Sequence, residues 1–393
     1  MVESREDKTS GGRADVAKGM DLRAYVRQQP VMLGLLAVVG LVFFLAVAGL
    51  SRTYHAQRDA LGERWFSRGV ADLGARHFDS AVTEFRAALL YSRDNYAYQL
   101  NLAEALIGLK RTTEANSYLV NLWERQPEDG VVNLELARIA AQRAQTKQAL
   151  RYYHNAIYAV WPSDEEGKRR ETRLELIEFL LSIQAKAEAQ SELIALEENL
   201  GNDASLQERV GDLFVRAQDY EHALDAYRMS LKANRHNEAA LAGAGLAAFE
   251  LGHYPLAERY LQAAVSENSS DVQSGERLRT TELVLRMDPF RRQIAAADRD
   301  RIVMEAFAAA GKRLSSCATP KASGAAAAQP SWADNWAKMK PQISGQGLRR
   351  NPDLVEKVMD LVFEIERQTS ATCGTPAGTD LALLLIAKLH EGN

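Results

Sequence analysis

The sequence lacks the short motifs that usually carry metal, nucleotide or nucleophile chemistry. It contains no Cys-x-x-Cys, no His-Glu-x-x-His and no phosphate-binding loop. A partial match to a dinucleotide fingerprint, Gly243-Ala244-Gly245 with Ala248, lies in a helical pattern with no strand before it. The sequence therefore predicts no catalytic residue, no cofactor, no metal site and no small-molecule substrate, and we expect the chain not to be an enzyme.

The charge balance gives no sign of a nucleic-acid partner. The chain has 48 Lys and Arg against 52 Asp and Glu, for a net charge of -4 at pH 7. A surface that tracks phosphates needs clustered basic residues beside aromatic ones, and no such cluster is present in the sequence. We therefore expect a folded protein that does not bind nucleic acid.

Cysteine is scarce, with only two residues, Cys317 and Cys373. Cys317 follows a helical stretch, and Cys373 lies in a turn-like run before the last predicted helix. An even count confined to one region, on either side of a flexible linker, indicates a disulfide. Two unrelated buried thiols are the alternative. A bridge between Cys317 and Cys373 would predict an oxidising compartment for this part of the chain.

One apolar run near the amino terminus is long enough to cross a membrane. Residues 31–50 are uncharged, and twenty helical residues span a hydrocarbon core. We expect a disordered tail over 1–30, a transmembrane anchor over 31–50 and a juxtamembrane segment over 51–61. A cleaved signal peptide is the alternative, because Ala46-Val47-Ala48 has the shape of a cleavage site. The long polar tail and the length of the run favour an uncleaved anchor.

The orientation of the anchor follows from the cysteines rather than from the flanking charges. Basic residues stand on both sides of the run, at Arg13, Lys18, Arg23 and Arg27 before it and at Arg52, Arg58, Arg64 and Arg68 after it. Because the two flanks carry equal numbers of these basic residues, the positive-inside rule does not assign an orientation to the anchor. The predicted disulfide favours an inner (cytoplasmic) membrane protein with one span and a periplasmic domain.

From Leu61 to about Asp271 the sequence repeats every 34 residues. Units that begin at Gly62, Tyr96, Gly130, Arg170, Ala204 and Glu238 share an alanine at the twentieth position: Ala81, Ala115, Ala149, Ala189, Ala223 and Ala257. A large side chain follows four residues later: Phe85, Leu119, Tyr153, Leu193, Tyr227 and Leu261. The eighth position is small except at Ile177: Gly69, Ala103, Ala137, Gly211 and Gly245. Small residues facing large ones at helical spacing predict paired helices that approach closely.

This pattern resembles the tetratricopeptide repeat, a helix-turn-helix unit that stacks into a solenoid. The resemblance implies an all-α fold with about six repeats over 62–271. The fourth unit is the weakest, because it follows an insertion at 163–169 and has Ile177 at the small position. We interpret the charged run 164–173 as a solvated connection between helices, with a recognition loop as the alternative.

The chain beyond the repeats resembles no family that we can name. Apolar residues at helical spacing predict capping and extension helices over 272–316, since the end of a repeat array needs a cap. A flexible linker is expected over 317–331 and a small helical module over 332–393. Trp332 and Trp336, four residues apart, form one aromatic face, which we assign to core packing rather than to partner binding.

The resemblance implies protein binding along the concave face formed by the first helix of each unit. In the family the second, fifth, ninth and twelfth positions usually line this groove, and the candidates in this sequence are Phe66, Val70, Leu73, Leu100, Glu104, Ile107, Glu135, Arg138, Leu174, Glu178, Leu181, Glu208, Asp212 and Val215. The family's clamp for chaperone tails uses lysine, asparagine and arginine, which this set does not reproduce. We therefore expect an apolar or basic protein segment as the partner.

Two classes of function follow from the sequence. The first is a membrane-tethered scaffold or assembly factor at the cell envelope, joined to the membrane through residues 31–50. The second is an enzyme or redox module in the carboxy-terminal region, carried on the repeats. The missing catalytic motifs favour the scaffold.

Overall fold

In a computed structural model the chain is described over residues 22–198, 200–201, 203–317 and 331–391. All regular elements in these ranges are helical. The first nine helices are α1 (Leu22–Gly74), α2 (Phe78–Tyr91), α3 (Tyr96–Gly108), α4 (Thr112–Arg125), α5 (Gly130–Gln142), α6 (Thr146–Ile157), α7 (Glu165–Ser182), α8 (Lys186–Glu197) and α9 (Ala204–Ala217). The others are α10 (Tyr220–Ala233), α11 (Glu238–Glu250), α12 (Tyr254–Glu267), α13 (Val272–Met287), α14 (Ala296–Cys317), α15 (Ser331–Met339), α16 (Gly345–Arg350), α17 (Asp353–Thr372) and α18 (Thr379–His390).

The chain forms two compact units, Met1–Tyr152 and Tyr153–Asn393, whose boundary lies inside α6. We call them the N-terminal unit and the C-terminal unit. Each contains pairs of antiparallel helices with the predicted 34-residue spacing. The prediction of an all-α chain built from tetratricopeptide-like repeats is confirmed.

The repeat register is visible in the packing within each helix pair. All six alanines at the twentieth position are fully buried. A Cβ atom added to Gly69 would lie 2.6 Å from the ring of Phe85, and one on Gly211 would lie 2.7 Å from that of Tyr227. The large side chain of the second helix therefore packs on the backbone of the first, which explains why the eighth position must be small.

Each turn between paired helices contains one residue with a left-handed backbone. These residues are Arg76, Lys110, Ala144, Gln184, Gln218 and Gly252, and all six stand at the fifteenth position of their repeats. Only the last is glycine, the residue that adopts this conformation without a steric cost. The sequence therefore gave no sign of this turn in the first five repeats.

In most repeats an aspartate or asparagine caps the amino end of the first helix. Asn95, Asp129, Asp203, Asn237 and Asp271 each accept a hydrogen bond from a backbone N–H in the first turn of the following helix. Such caps satisfy donors that have no partner within the helix. They fix the point at which the chain turns into the next repeat.

Helix α1 joins the apolar run to the first repeat without a break. It begins at Leu22, so residues 22–30 are helical and the prediction of a disordered tail over 1–30 is wrong for this part; residues 1–21 lie outside the described ranges. A helix formed by the apolar run extends readily into its flanks, because each added residue gains a hydrogen bond without a new nucleation step. The predicted juxtamembrane segment, 51–61, is also part of this helix.

The apolar part of α1 is exposed along its whole length. From Met32 the helix is long and apolar enough to cross a membrane, its best 18-residue stretch has a mean hydropathy of 2.7, and none of that stretch is buried. A core helix of a soluble protein would be mostly buried, and this one is not. A membrane span and a signal sequence are the two roles that fit such a helix.

The fourth repeat departs from the sequence prediction at its start. Helix α7 begins at Glu165, five residues before the expected first position at Arg170. The carboxylate of Asp164 accepts a hydrogen bond from the Gly167 N–H at 3.3 Å, and acidic residues in the first turn complement the helix dipole. The interpretation of residues 164–173 as a solvated connection is therefore wrong from Glu165 onward.

Helices on both sides of the predicted linker share one hydrophobic core. Helices α13 and α14 contribute Val284, Met287, Val303 and Phe307, while α17 and α18 contribute Val358, Val362, Leu383 and Ile386. The expected capping helices and the expected carboxy-terminal module therefore form one packed body. Most of the predicted linker, 318–330, lies outside the described ranges.

A disulfide joins Cys317, the last residue of α14, to Cys373, the residue after α17. The two Cα atoms lie 5.5 Å apart, a normal separation for a disulfide.

Trp336 stacks on Phe307 with a centroid distance of 5.1 Å, and its indole N–H donates to the Phe307 carbonyl at 3.2 Å. Trp332 is partly buried against the same core. Both tryptophans therefore contribute to packing.

Candidate protein-binding groove

In the N-terminal unit the predicted groove residues lie on α1, α3 and α5. Phe66, Leu73, Leu100 and Ile107 are partly buried, and Val70 is exposed. The Phe66 ring stacks on the ring of Tyr98, with centroids 4.8 Å apart. These residues form an apolar surface that helix packing supports and water still reaches. We call the eight predicted residues of this unit, Phe66 to Arg138, the N-terminal groove.

Glu104 is the acidic residue of α3 on this surface. Its side chain is exposed and has no hydrogen-bond or ionic partner among the described residues. The surrounding protein nevertheless removes enough water to raise the pKa of its carboxyl above the usual value. The neighbouring side chains therefore favour the neutral form of this carboxyl relative to a fully hydrated one.

The other acidic residue of the N-terminal groove is already paired. Arg138 donates to the carboxylate of Glu135 at 2.6 Å, one turn away on α5. The Tyr96 hydroxyl similarly donates to Asp129, which caps α5, at 2.6 Å. The α5 end of the groove is therefore internally satisfied, and the unpaired charge of Glu104 distinguishes α3.

In the C-terminal unit two predicted groove residues belong to the core. Leu174 is 4% exposed and Leu181 is 6% exposed, so a partner could not contact them without displacing other side chains. The prediction that they line a groove is wrong, because leucine side chains gain more free energy by burial between helices than by facing water. Sequence position alone does not distinguish these two environments.

The acidic groove residues of the C-terminal unit all have partners. Arg216 on α9 donates to Glu178 on α7 at 2.7 Å. The Tyr227 hydroxyl donates to Asp212 at 2.6 Å, and the Asn237 amide donates to Glu208. Val215 remains partly buried. These polar groups stabilise the repeats, so they are less available to a ligand than Glu104 is.

The partial dinucleotide fingerprint has a packing role. Gly243 and Gly245 lie within α11. Added Cβ atoms would lie 2.2 Å from the ring of Tyr227 and 2.7 Å from the side chain of Leu261, respectively. Both glycines allow close contact with the neighbouring helices, as their positions in a helix suggested.

A second polar cluster lies in the C-terminal unit. Glu366 on α17 is fully buried, and neither of its carboxyl oxygens has a hydrogen-bond partner among the residues that the structure describes. Burial and the nearby carboxylate of Asp380 raise its pKa to about 8, while the Arg313 guanidinium opposes that shift. Arg313 also donates to the Gly374 carbonyl at 2.6 Å, beside the disulfide. No sequence motif indicated this cluster, although a glutamate stands within the apolar stripe of α17.

The raised pKa of Glu366 predicts a stability that depends on pH. The folded state keeps the proton up to about pH 8, whereas the unfolded state loses it near the usual value of 4.5. The free energy of unfolding of the C-terminal unit should therefore fall as pH rises through this window, by at most about 1.4 kcal/mol per pH unit. Chemical denaturation at a series of pH values would measure the slope.

Two variants of α17 make this measurement specific. Glu366→Gln should flatten the slope, because the amide does not titrate. The matched variant Glu364→Gln should leave it unchanged between pH 5 and pH 8, because the pKa of this half-buried carboxyl is lowered by hydrogen bonds from Gln368 and Arg367. An unchanged slope in Glu366→Gln would contradict the assignment.

Among the described residues, no group of three or more His, Cys, Asp or Glu side chains could hold a metal ion.

The observed geometry is that of paired helices with a small residue under each large one, and the sequence matches a known family over two stretches. The tetratricopeptide repeat family model matches residues 66–130 and 209–272. These two stretches are therefore similar to tetratricopeptide repeats. Repeats of this kind are typically non-enzymatic modules that bind other proteins.

Several solved structures of tetratricopeptide proteins are similar to the chain. YrrB, described as having an unusual peptide-binding site, is 14% identical with a TM-score of 0.39, over 48% of this chain and 95% of that chain. Pseudomonas aeruginosa pilF is 14% identical with a TM-score of 0.40, over 56% and 97%. The TPR2AB domain of yeast Sti1, in complex with pHSP90, is 17% identical with a TM-score of 0.30, over 77% and 98%. No curated protein matches the chain.

Proposed function

We propose that this protein is a membrane-tethered scaffold or assembly factor of the cell envelope, and not an enzyme. Its N-terminal groove would bind a protein segment that presents apolar side chains and at least one basic side chain. The observation that carries the proposal is the unpaired carboxylate of Glu104 among the exposed and half-buried apolar residues of α1 and α3. A basic group would restore the favourable charge environment that this carboxylate loses on desolvation.

The membrane part of the proposal rests on α1. Its exposed apolar stretch fits a bilayer core in length, and the helix continues into the first repeat. An oxidising environment for the folded domain is supported by the position of Cys317 and Cys373, whose Cα separation suits a bridge. We infer an inner-membrane protein with one span and periplasmic repeats.

Partner binding is tested by crosslinking within cells. A photoreactive residue in place of Val70, which is exposed in the N-terminal groove, should crosslink to a partner protein. Glu104→Lys should reduce the yield of this adduct about tenfold, because two like charges at an interface disfavour binding by more than a kcal/mol. Quantitative mass spectrometry of the adduct gives the yield.

The matched control reverses a charge outside the groove. Glu128 lies exposed in the turn between α4 and α5 and has no partner among the described residues. Glu128→Lys should leave the adduct yield at the parental level. Equal yields from Glu104→Lys and Glu128→Lys would reject a basic segment as the partner of this groove.

The proposed orientation predicts a protease result. Protease added to intact spheroplasts should digest the repeats, since a periplasmic domain is accessible once the outer membrane is opened. The fragment that contains α1 should stay with the membrane. Repeats that resist digestion until the spheroplasts are lysed would place the domain in the cytoplasm.

A further inference from the structure

A second groove lies in the C-terminal unit, between α14 and α15. Its volume is about 490 Å³, within the range of sites that hold ligands. Helix α14 forms one wall from Met304 to Ser315, about 16 Å along the helix axis. Helix α15 and the residues after it, from Trp336 to Ile343, form the other wall. We call this surface the α14–α15 groove.

The apolar lining of this groove is held in place by packing. The indole of Trp336 stacks on the ring of Phe307 and donates to the Phe307 carbonyl at 3.2 Å. A Cβ atom on Gly311 would lie 2.3 Å from the Trp336 ring, so the indole lies directly on the backbone of α14. Met304 and Ile343 are partly buried beside these rings. Aromatic and methionine side chains are enriched where proteins contact each other, so this lining suits a partner.

Two lysines supply the charge of the α14–α15 groove. Lys312 stands on one wall and Lys340 on the other, and both are exposed. The Lys340 ammonium lies 5.1 Å from the centre of the Trp336 ring, and among the described residues neither lysine has a carboxylate partner. The lining residues that the structure describes include no aspartate or glutamate. Residues 331–350 add to the positive charge, with Lys338, Lys340, Arg349 and Arg350 against Asp334.

The chain itself offers little negative charge to these lysines. Glu305 on α14 is already paired with Arg301 at 3.3 Å. Residues 318–330, which connect α14 to α15 in the sequence, contain no aspartate or glutamate. The carboxylates that would complement the groove must therefore come from another molecule.

The positions of the lysines favour a protein segment over a fatty acid. A fatty acid combines an apolar chain with a carboxylate, but its one carboxylate could pair with only one of the two walls. A protein segment can place apolar side chains on Trp336 and Met304 and an acidic side chain near each lysine. The length of the α14 wall also suits two or three turns of an amphipathic helix.

We propose that the α14–α15 groove binds a segment of another protein that presents apolar side chains together with acidic ones. Its charge preference is opposite to that of the N-terminal groove, so the chain has a binding surface for each of two different segments. This second surface does not depend on Glu104 or on the partner proposed for the N-terminal groove.

The test selects peptides on the full chain. The protein, with its disulfide intact, is placed in phosphatidylcholine nanodiscs and exposed to a random peptide library displayed on phage. Selected peptides are synthesised with a fluorophore, and their affinities are measured by fluorescence anisotropy. We expect a class of peptides rich in apolar and acidic residues. Lys312→Glu combined with Lys340→Glu should weaken the binding of this class at least tenfold, because like charges would then face each other.

The matched control makes the same change of net charge outside the groove. Lys357 on α17 and Lys388 on α18 are exposed and do not line it. Lys357→Glu combined with Lys388→Glu should leave the affinity at the parental level, as should Glu104→Lys. Denaturant titration should show parental stability in both double variants, since all four lysines are exposed.

Three results would overturn the proposal. The first is the absence of any selected peptide whose affinity falls when Lys312 and Lys340 are replaced. The second is an equal loss of affinity in the Lys357 and Lys388 control, which would reflect net charge alone. The third is binding of dodecanoate that requires the two groove lysines, without any such peptide, because the groove would then be a fatty-acid site. Loss of acidic-peptide binding in Glu104→Lys would instead assign these peptides to the N-terminal groove and reject both proposed charge preferences.

Discussion

Replacing both Cys317 and Cys373 by serine should lower the free energy of unfolding of the C-terminal unit by about 4 kcal/mol. The bridge closes a loop with a sequence separation of 56 residues, and the chain-entropy model gives about this value for such a loop. Denaturant titration of the parent and the double variant, both without reducing agent, would measure the difference.

The parent protein supplies the control for this prediction. After reduction and alkylation it should unfold at the same denaturant concentration as the double variant. Non-reducing mass mapping of protein from its native compartment should find the two cysteine-containing peptides joined. Alkylatable thiols at both positions would contradict the bridge and remove its support for a periplasmic domain.

Tyr227→Ala should destabilise the C-terminal unit by about 3 to 5 kcal/mol. Tyr227 is one of the largest fully buried side chains, and it packs on the backbone of Gly211 and Gly243. Both glycines lack a Cβ atom that could fill the space left by the missing ring, so the variant would retain most of the cavity. Thermal or chemical unfolding followed by circular dichroism would measure the loss.

Tyr227→Phe separates the ring from its hydroxyl. The hydroxyl donates to Asp212 at 2.6 Å, and removing it should cost about 1 kcal/mol or slightly more. The free energy of unfolding should therefore fall much less in Tyr227→Phe than in Tyr227→Ala. Similar losses in the two variants would mean that the hydrogen bond, and not the packing on glycine, stabilises this repeat.

The groove was predicted less well than the repeats. The register placed Glu104 and Leu174 at related positions of their helices, yet the first is exposed and the second is buried. The register also gave no indication that Arg216 would pair with Glu178 while Glu104 stayed unpaired. Pairing of this kind depends on side chains from neighbouring helices, which a pattern within one repeat does not contain.

The sequence by itself determined the repeat register and the type of fold. A small residue at the eighth position, a buried alanine at the twentieth and a large side chain at the twenty-fourth are local requirements of two helices in contact, so they recur in the sequence. The apolar run of α1 and the pair of cysteines were equally visible, because length and composition alone reveal them.

Only the tertiary structure decided how distant segments meet. It showed that α13 and α14 share a core with α17 and α18, and that Glu366 lies near Asp380 and Arg313. It also showed that α1 continues from the apolar run into the first repeat. The physical reason is that burial, charge pairing and helix continuation depend on neighbours far apart in the sequence, whereas periodicity records only the contacts between adjacent helices.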